Sequence, residues 1–333
     1  MKIAILSPVA WRTPPRHYGP WEQMASNLAE GLIARGIDVT LFATSDSVTN
    51  GKLAWICRQG YEEDHSADAK VNECMHISYL MEQAHHFDLI HNHFDFLPLT
   101  YSRLIGTPMV TTIHGFSSEK IVPVYQRYNQ GGHYVSISNS DRHPSLQYKA
   151  TVYNGIRAED FSFSPTADGY LLYYGRIHPD KGTHEAIQIA RHTNRQLLMA
   201  GIVQQKDYFN EMVKPYIDNE QVKYLGPVGG AARSELLGKA TALLHPISFN
   251  EPFGLSVAEA MLCGTPVIAF NRGSMPELIQ NQRTGFLVDT TQEAAAAVED
   301  IRMIDRYTCH MHAREHFTTE RMTEDYLKVY KMI

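Results

Sequence analysis

The sequence predicts an α/β protein built from two domains, each with a parallel sheet. Three observations carry that expectation. The chain has 333 residues, more than one hydrophobic core usually organises. Short apolar runs alternate with amphipathic ones, the pattern of strand–helix–strand units feeding a parallel sheet. The alternation is interrupted once, by the Asn154-Gly155 turn and a polar stretch over 158–169, and then restarts. Domains are therefore expected over 1–157 and 158–318, with a last helix near 319–333 returning to the first.

In the first half, residues 2–6 read as a buried strand, followed by a loop rich in Pro, Arg and Gly up to Pro20. Residues 21–34 form an amphipathic run with Leu28 and Leu32 on its apolar stripe, closed by Arg35-Gly36. A strand is expected at 38–42, and others at 88–91, 109–112, 133–136 and 151–153. The stretch 50–70 is polar and unpatterned and reads as loop. In the second half, strands are expected at 170–174, 196–200, 222–225, 242–245, 266–270 and 286–288. Helical patterns lie among them at 183–191, 208–217 and 255–262. Two such sheets facing each other would leave a cleft at the carboxyl ends of their strands, where open α/β sheets bind ligands.

Composition narrows the function. Hydrophobic residues make up 44% and charged residues 20%, an ordinary globular balance that needs no disulfide or structural metal. Residues 1–155 carry 12 Lys+Arg against 14 Asp+Glu, and the remainder 18 against 22, so the charges are −2 and −4 and sum to −6. Neither half is basic, which argues against nucleic acid as a partner. No run approaches ~20 apolar residues, so no membrane span is expected; peripheral membrane contact stays open. The cysteines Cys57, Cys74, Cys263 and Cys309 have no redox or metal spacing. They read as reduced thiols of a cytoplasmic protein.

Four stretches are candidates for chemistry. Asn250-Glu-Pro-Phe-Gly-Leu-Ser-Val-Ala-Glu-Ala260 follows an expected strand and opens an expected helix. The amides of Phe253, Gly254, Leu255 and Ser256 would stand at the helix head, where unpaired N–H groups and the dipole favour an anion. Glu251 on the loop is placed to face a substrate, and Glu259 within the helix to accept the two hydroxyls of a ribose; the plain alternative is a helix-terminus charge and a solvated surface residue. Tyr174-Gly-Arg-Ile-His-Pro-Asp-Lys-Gly182 carries Arg176 and Lys181 across a turn, so both cations can converge on a diphosphate. The alternative is a surface pair matched to Asp180 and Glu185. Thr111-Thr-Ile-His-Gly-Phe116 puts His114 at a strand's carboxyl end, although with 17 histidines most are incidental. Tyr18-Gly-Pro-Trp-Glu22 puts Gly19 where a phosphate can approach, without the G-x-G-x-x-G pattern. Arg12 and Arg16 lie upstream, either near an anionic group or in solvent. His91-Asn-His93 and His85-His86 have no evident third ligand, and no Asp-x-Asp occurs, so no metal site is expected.

Taken together, these residues resemble glycosyltransferase family 4, whose members have the GT-B fold. The resemblance spans nearly the whole chain. Its specific parts are Gly-Arg-Ile-x-Pro-x-Lys-Gly and Glu-Pro-Phe-Gly-Leu-x-x-x-Glu-Ala-Met-x-x-Gly-Thr-Pro-Val. It implies a retaining, nucleotide-sugar-dependent hexosyltransferase with two facing Rossmann-like domains and an interdomain cleft. Glu251 would bind donor-sugar hydroxyls with help from the amides of Phe253, Gly254 and Leu255; Glu259 would hold the ribose. Arg176 and Lys181 would neutralise the diphosphate in place of a metal. His114 would lie against the donor sugar, Gly19 near the phosphates and Val228 near the base. The family often has Gly-Gly at the first loop; here Gly19-Pro20 removes one amide donor.

The expected partners are then a donor of the UDP-glucose or GDP-mannose type and a small-molecule or glycan acceptor, with no cofactor. The alternatives are a GT-B disaccharide phosphorylase and a nucleotide-sugar-binding protein without turnover.

Overall fold

A computed structural model describes residues 1–333 and divides them into two compact units. One comprises Met1–Gly155 with Thr319–Ile333, the other Ile156–Thr318.

The first unit is a seven-stranded sheet of β1 (Lys2–Leu6), β2 (Asp38–Phe42), β3 (Lys52–Ala54), β4 (Leu89–Asn92), β5 (Met109–Ile113), β6 (His133–Ser136) and β7 (Tyr148–Thr151). Its order is β3-β2-β1-β4-β5-β6-β7, parallel throughout. Side chains alternate across a strand, and β1 uses both faces. Ile3 and Ile5 pack with the helices Pro20–Ile33 and Thr319–Tyr330, while Ala4 and Leu6 pack with Ile77, Leu80 and Tyr125 beneath. Each fully buried isoleucine or leucine stabilises the unit by about 1.5–3 kcal/mol. The two helices on the upper face touch closely. A Cβ on Gly31 would stand 2.1 Å from Thr323 Oγ1, so alanine there would force them apart.

The second unit holds β8 (Leu171–Tyr174), β9 (Leu197–Ala200), β10 (Val222–Tyr224), β11 (Ala242–His245), β12 (Val267–Phe270) and β13 (Gly285–Val288). Its order is β10-β9-β8-β11-β12-β13, again all parallel. In both sheets the first strand lies between the second and the fourth, so each has a switch point where the connections diverge to opposite sides. Ligands of such sheets bind there, beyond the strands' carboxyl ends.

Several sequence expectations shift. Strand β7 lies at Tyr148–Thr151 rather than 151–153, beside a register irregularity in β6. The supposed loop 50–70 contains the edge strand β3. A helix at Ala69–Met81 buries only His76, Ile77, Leu80 and Met81, too narrow a stripe to stand out in the sequence. The region 208–217 is not one regular helix: a wide π turn at Phe209–Val213 passes into a 3-10 turn at Lys214–Tyr216, where Pro215 has no amide to continue an α-ladder.

Candidate active site

In the second unit, the loops after β8 and β11 flank the switch point. Pairing continues beyond the end of β8: Gly175 N–H donates to Ala200 O at 3.0 Å and Ile177 N–H to Ile202 O at 2.8 Å. Arg176 leaves this ribbon sideways, and its guanidinium donates to Gln204 Oε1. The chain then turns through Pro179–Lys181 into Gly182, at φ 71°. A Cβ at Gly182 would lie 1.9 Å from Pro246 O, so only glycine lets the two loops meet this closely. Ser248 N–H locks them by donating to Asp180 O at 2.9 Å.

This junction brings Lys181 to Glu251. Their side chains, 15% and 14% exposed, form an ion pair through Nζ and Oε2. Lys181 Nζ also stands 4.6 Å from the centre of the Phe249 ring, and His245 Nε2 lies 3.7 Å from the same Glu251 oxygen. Burial pushes the Glu251 carboxyl up, but His245 and Lys181 outweigh it and hold it down at about 2. The His245 imidazole is itself pushed down by burial. Glu251 is therefore ionised, an acceptor only, with the Lys181 cation beside it. Arg176 and Lys181 share no protein partner. The alternative pairing with Asp180 and Glu185 is not formed either, since those carboxylates face His178 and His184.

Beyond Glu251 the chain enters the helix Leu255–Leu262 through Gly254, at φ 92°. Glu251 O accepts from Ser274 N–H at 2.9 Å and Phe253 O from Ser274 Oγ at 2.6 Å, fixing the approach. The helix ladder begins with Val257 N–H to Gly254 O at 3.1 Å, so the amides of Leu255 and Ser256 precede it. Glu259, further along, is buried at 8% exposure and is no surface residue. Burial raises its carboxyl to about 6; Arg233, whose Nη1 is 3.3 Å from Oε1, pulls against that rise. Val228 is half-buried, and its carbonyl accepts from the Tyr174 hydroxyl at 2.6 Å.

The first unit places His114 just past β5. It is buried, its Nε2 is 2.9 Å from His93 Nδ1, and the Trp21 ring stacks on it at 5.7 Å. Burial lowers its imidazole to about 3. Gly19 caps the helix Pro20–Ile33 next to Glu22, a buried carboxyl that burial raises to about 7. Arg16 is paired with two protein carboxylates, Asp46 and Glu63, at 3.1 and 2.7 Å. No group of three or more His, Cys, Asp or Glu is arranged to hold a metal ion.

Three side chains at these sites gain their roles from neighbours that the local sequence does not reveal. His245 ends a strand and Arg233 lies in a polar helix, so neither announces itself. His93 stands in the His91-Asn-His93 pattern, which points to a metal ligand and not to a partner of His114. The available signal was position: His93 and His245 both sit at the carboxyl end of a strand beside a switch point.

Two family profiles match the chain. The one described as Glycosyl transferases group 1 matches residues 157–307, and Glycosyltransferase Family 4 matches residues 22–159. The glycogen synthase of Mycobacterium tuberculosis is 26% identical, across 96% of this chain and 90% of its own length. Among solved structures, sucrose-phosphate synthase from Thermosynechococcus elongatus is similar at TM-score 0.80 and 18% identity, covering 100% of this chain and 98% of its own. Anabaena Alr3699/HepE in complex with UDP-glucose is similar at TM-score 0.75 and 18% identity, covering 100% of both chains. No helix is long and apolar enough to cross a membrane.

Proposed function

The chain is a glycosyltransferase of the family 4 type with a GT-B fold, and from that premise we propose that it is a retaining, metal-independent hexosyltransferase. Its donor is a nucleotide diphosphate sugar of the UDP-glucose or GDP-mannose type, and its acceptor a hydroxyl of a small soluble molecule, met in the cytoplasm. Similarity to a structure that holds UDP-glucose supports the donor class.

The observation that carries this reading is the Lys181–Glu251 pair at the switch point, ahead of the helix Leu255–Leu262. An ionised glutamate accepts hydrogen bonds from sugar hydroxyls. The amides of Leu255 and Ser256 add donors to the same ligand. A donor's diphosphate competes for Lys181 and draws it from Glu251 as the two glutamate oxygens turn to the sugar. Arg176 exchanges Gln204 for the diphosphate, giving a forked contact beside the point charge of Lys181. Glu259 takes the ribose hydroxyls, Val228 lies by the base, Gly19 comes near the phosphates, and His114 meets a sugar hydroxyl. Negative charge grows on the departing diphosphate, so two cations placed in advance favour the transition state over the ground state. The leaving phosphate takes the acceptor's proton from the same face, which retains configuration and requires no enzymic nucleophile.

The test is acceptor-dependent release of nucleoside diphosphate from a panel of donor sugars, with and without EDTA. Transfer should continue in EDTA with the anomeric configuration kept. Loss of activity restored by magnesium or manganese would overturn the cationic diphosphate site, and phosphate-dependent cleavage of a disaccharide would identify a phosphorylase instead.

A further inference from the structure

Three histidines stand in a row at the carboxyl edge of the first sheet. His91 and His93 are stacked at 4.3 Å between ring centres, and His93 and His114 are 5.1 Å apart. All three are buried. Both nitrogens of His91 are engaged, Nδ1 with the Tyr330 hydroxyl at 2.5 Å and Nε2 with Thr112 Oγ1 at 2.7 Å. His91 therefore holds the His93 ring by its face and offers its nitrogens nothing. His93 Nδ1 meets His114 Nε2 at 2.9 Å, while His93 Nε2 is buried with no hydrogen-bond partner. His114 Nδ1 makes no hydrogen bond within the protein.

A neutral imidazole carries one N–H and one bare nitrogen. If the His93 proton sat on Nε2, a buried N–H would be orphaned, which is rare in proteins; a bare buried acceptor is better tolerated. The proton therefore belongs on Nδ1, where it is donated to His114 Nε2. His114, with Nε2 occupied as acceptor, must then carry its own proton on Nδ1. Burial keeps both rings neutral, which is the condition for this logic.

We propose that His93 is a positioning residue that sets the tautomer of His114, so that His114 offers Nδ1–H as a donor to a sugar oxygen. The inference rests on the assignment of His114 to a sugar hydroxyl and sharpens it. From this tautomer, Nδ1 cannot accept a proton, so His114 orients the sugar and does not act as a general base. That fits a reaction in which the leaving phosphate takes the acceptor's proton.

The experiment is a long-range proton–nitrogen spectrum of the full chain labelled with ¹⁵N-histidine, with the His114 signals assigned by comparison with His114→Ala. The expected result is a protonated Nδ1 and a bare Nε2 on His114. A proton on Nε2 overturns the proposal with no variant needed. His93→Asn keeps a donor near the Nδ1 position and His93→Phe removes it. The phenylalanine variant should lose the single tautomer and about tenfold in kcat, the worth of one hydrogen bond, with KM for the donor little changed. Asparagine should restore both. Equal kinetics and tautomers for the two variants would also overturn the proposal. If the tautomer is as expected but His114→Ala transfers normally, the sugar assignment fails and the tautomer assignment stands.

Discussion

The two units share a topology and differ in how they treat charge. In the second, near the switch point, Lys181 faces Glu251 and Arg233 faces Glu259, two ion pairs carrying four charges. At the same place in the first unit stand His91, His93 and His114, all kept neutral by burial, with tyrosine and threonine hydroxyls around His91. Under the proposed function, the charged edge would meet the diphosphate, whose charge grows during reaction, and the neutral histidines a sugar hydroxyl. Equivalent backbone geometry thus serves two chemistries, and side chains at strand ends decide which.

The contrast breaks first at Glu251. Glu251→Ala should reduce transfer by about a thousandfold, at the upper end for loss of one preorganised polar contact, while nucleoside diphosphate still binds. Glu259→Ala should do the reverse, weakening the nucleotide more than the sugar. Calorimetry on both variants decides; exchanged outcomes would mean the two roles are swapped.

Arg176 and Lys181 give the next largest effect. Each alanine variant should lose about a hundredfold in kcat with a smaller rise in KM, because their contacts tighten as the diphosphate departs. Groups that share one ligand are seldom additive, so the double variant should lose less than the product. A double-mutant cycle on kcat/KM measures this. Near-normal rates in both single variants would leave Arg176 as a partner of Gln204 and Lys181 as a structural partner of Glu251.

The smallest effect distinguishes the units by acid. His76, His91 and His114 have folded values of about 4, 3 and 3 against 6.5 when unfolded. Between those values the unfolded chain binds more protons, so their stabilisation is full above 6.5 and declines as pH falls, at up to about 1.4 kcal/mol per histidine per pH unit. Glu251 runs from 4.5 unfolded to about 2 folded; its contribution is intact above 4.5 and fades only below. Hydrogen exchange between pH 6.5 and 4.5 should therefore find the first unit, with several buried histidines against one raised carboxyl at Glu22, loosening more than the neighbourhood of Glu251, where His245 is the histidine held down by burial. Uniform loosening, or loosening of the Glu251 loop first, would contradict this account of buried neutral histidines.

The sequence makes the central strands legible because they are buried on both faces and read as unbroken apolar runs, Ile3-Ala4-Ile5-Leu6 being the plainest. Strand β3 escapes notice because an edge strand with no fully buried residue has little pattern to offer. The irregular segment 206–216 escapes because helical periodicity survives a change of turn width. At the site, the residue types around Glu251 and Lys181 stand out, but their pairing does not: they are 70 positions apart, and only the adjacency of β8 and β11 joins them. The partners His245, Arg233 and His93 act through neighbours supplied by other elements, which no local pattern encodes.

The helix Thr319–Tyr330 carries a further implication, for the order in which the protein is made. Met322, Tyr326, Val329 and Tyr330 belong to the core of the first unit, and Tyr330 closes on His91. A ribosome reads that unit's strands first and this helix more than 160 residues later. The second unit, continuous from 156 to 318, can close while the first still lacks one helix of its core, although domains made at the N-terminus generally fold first. The part synthesised first is thus finished last, and during that interval the upper face of its sheet is covered by the helix Pro20–Ile33 alone.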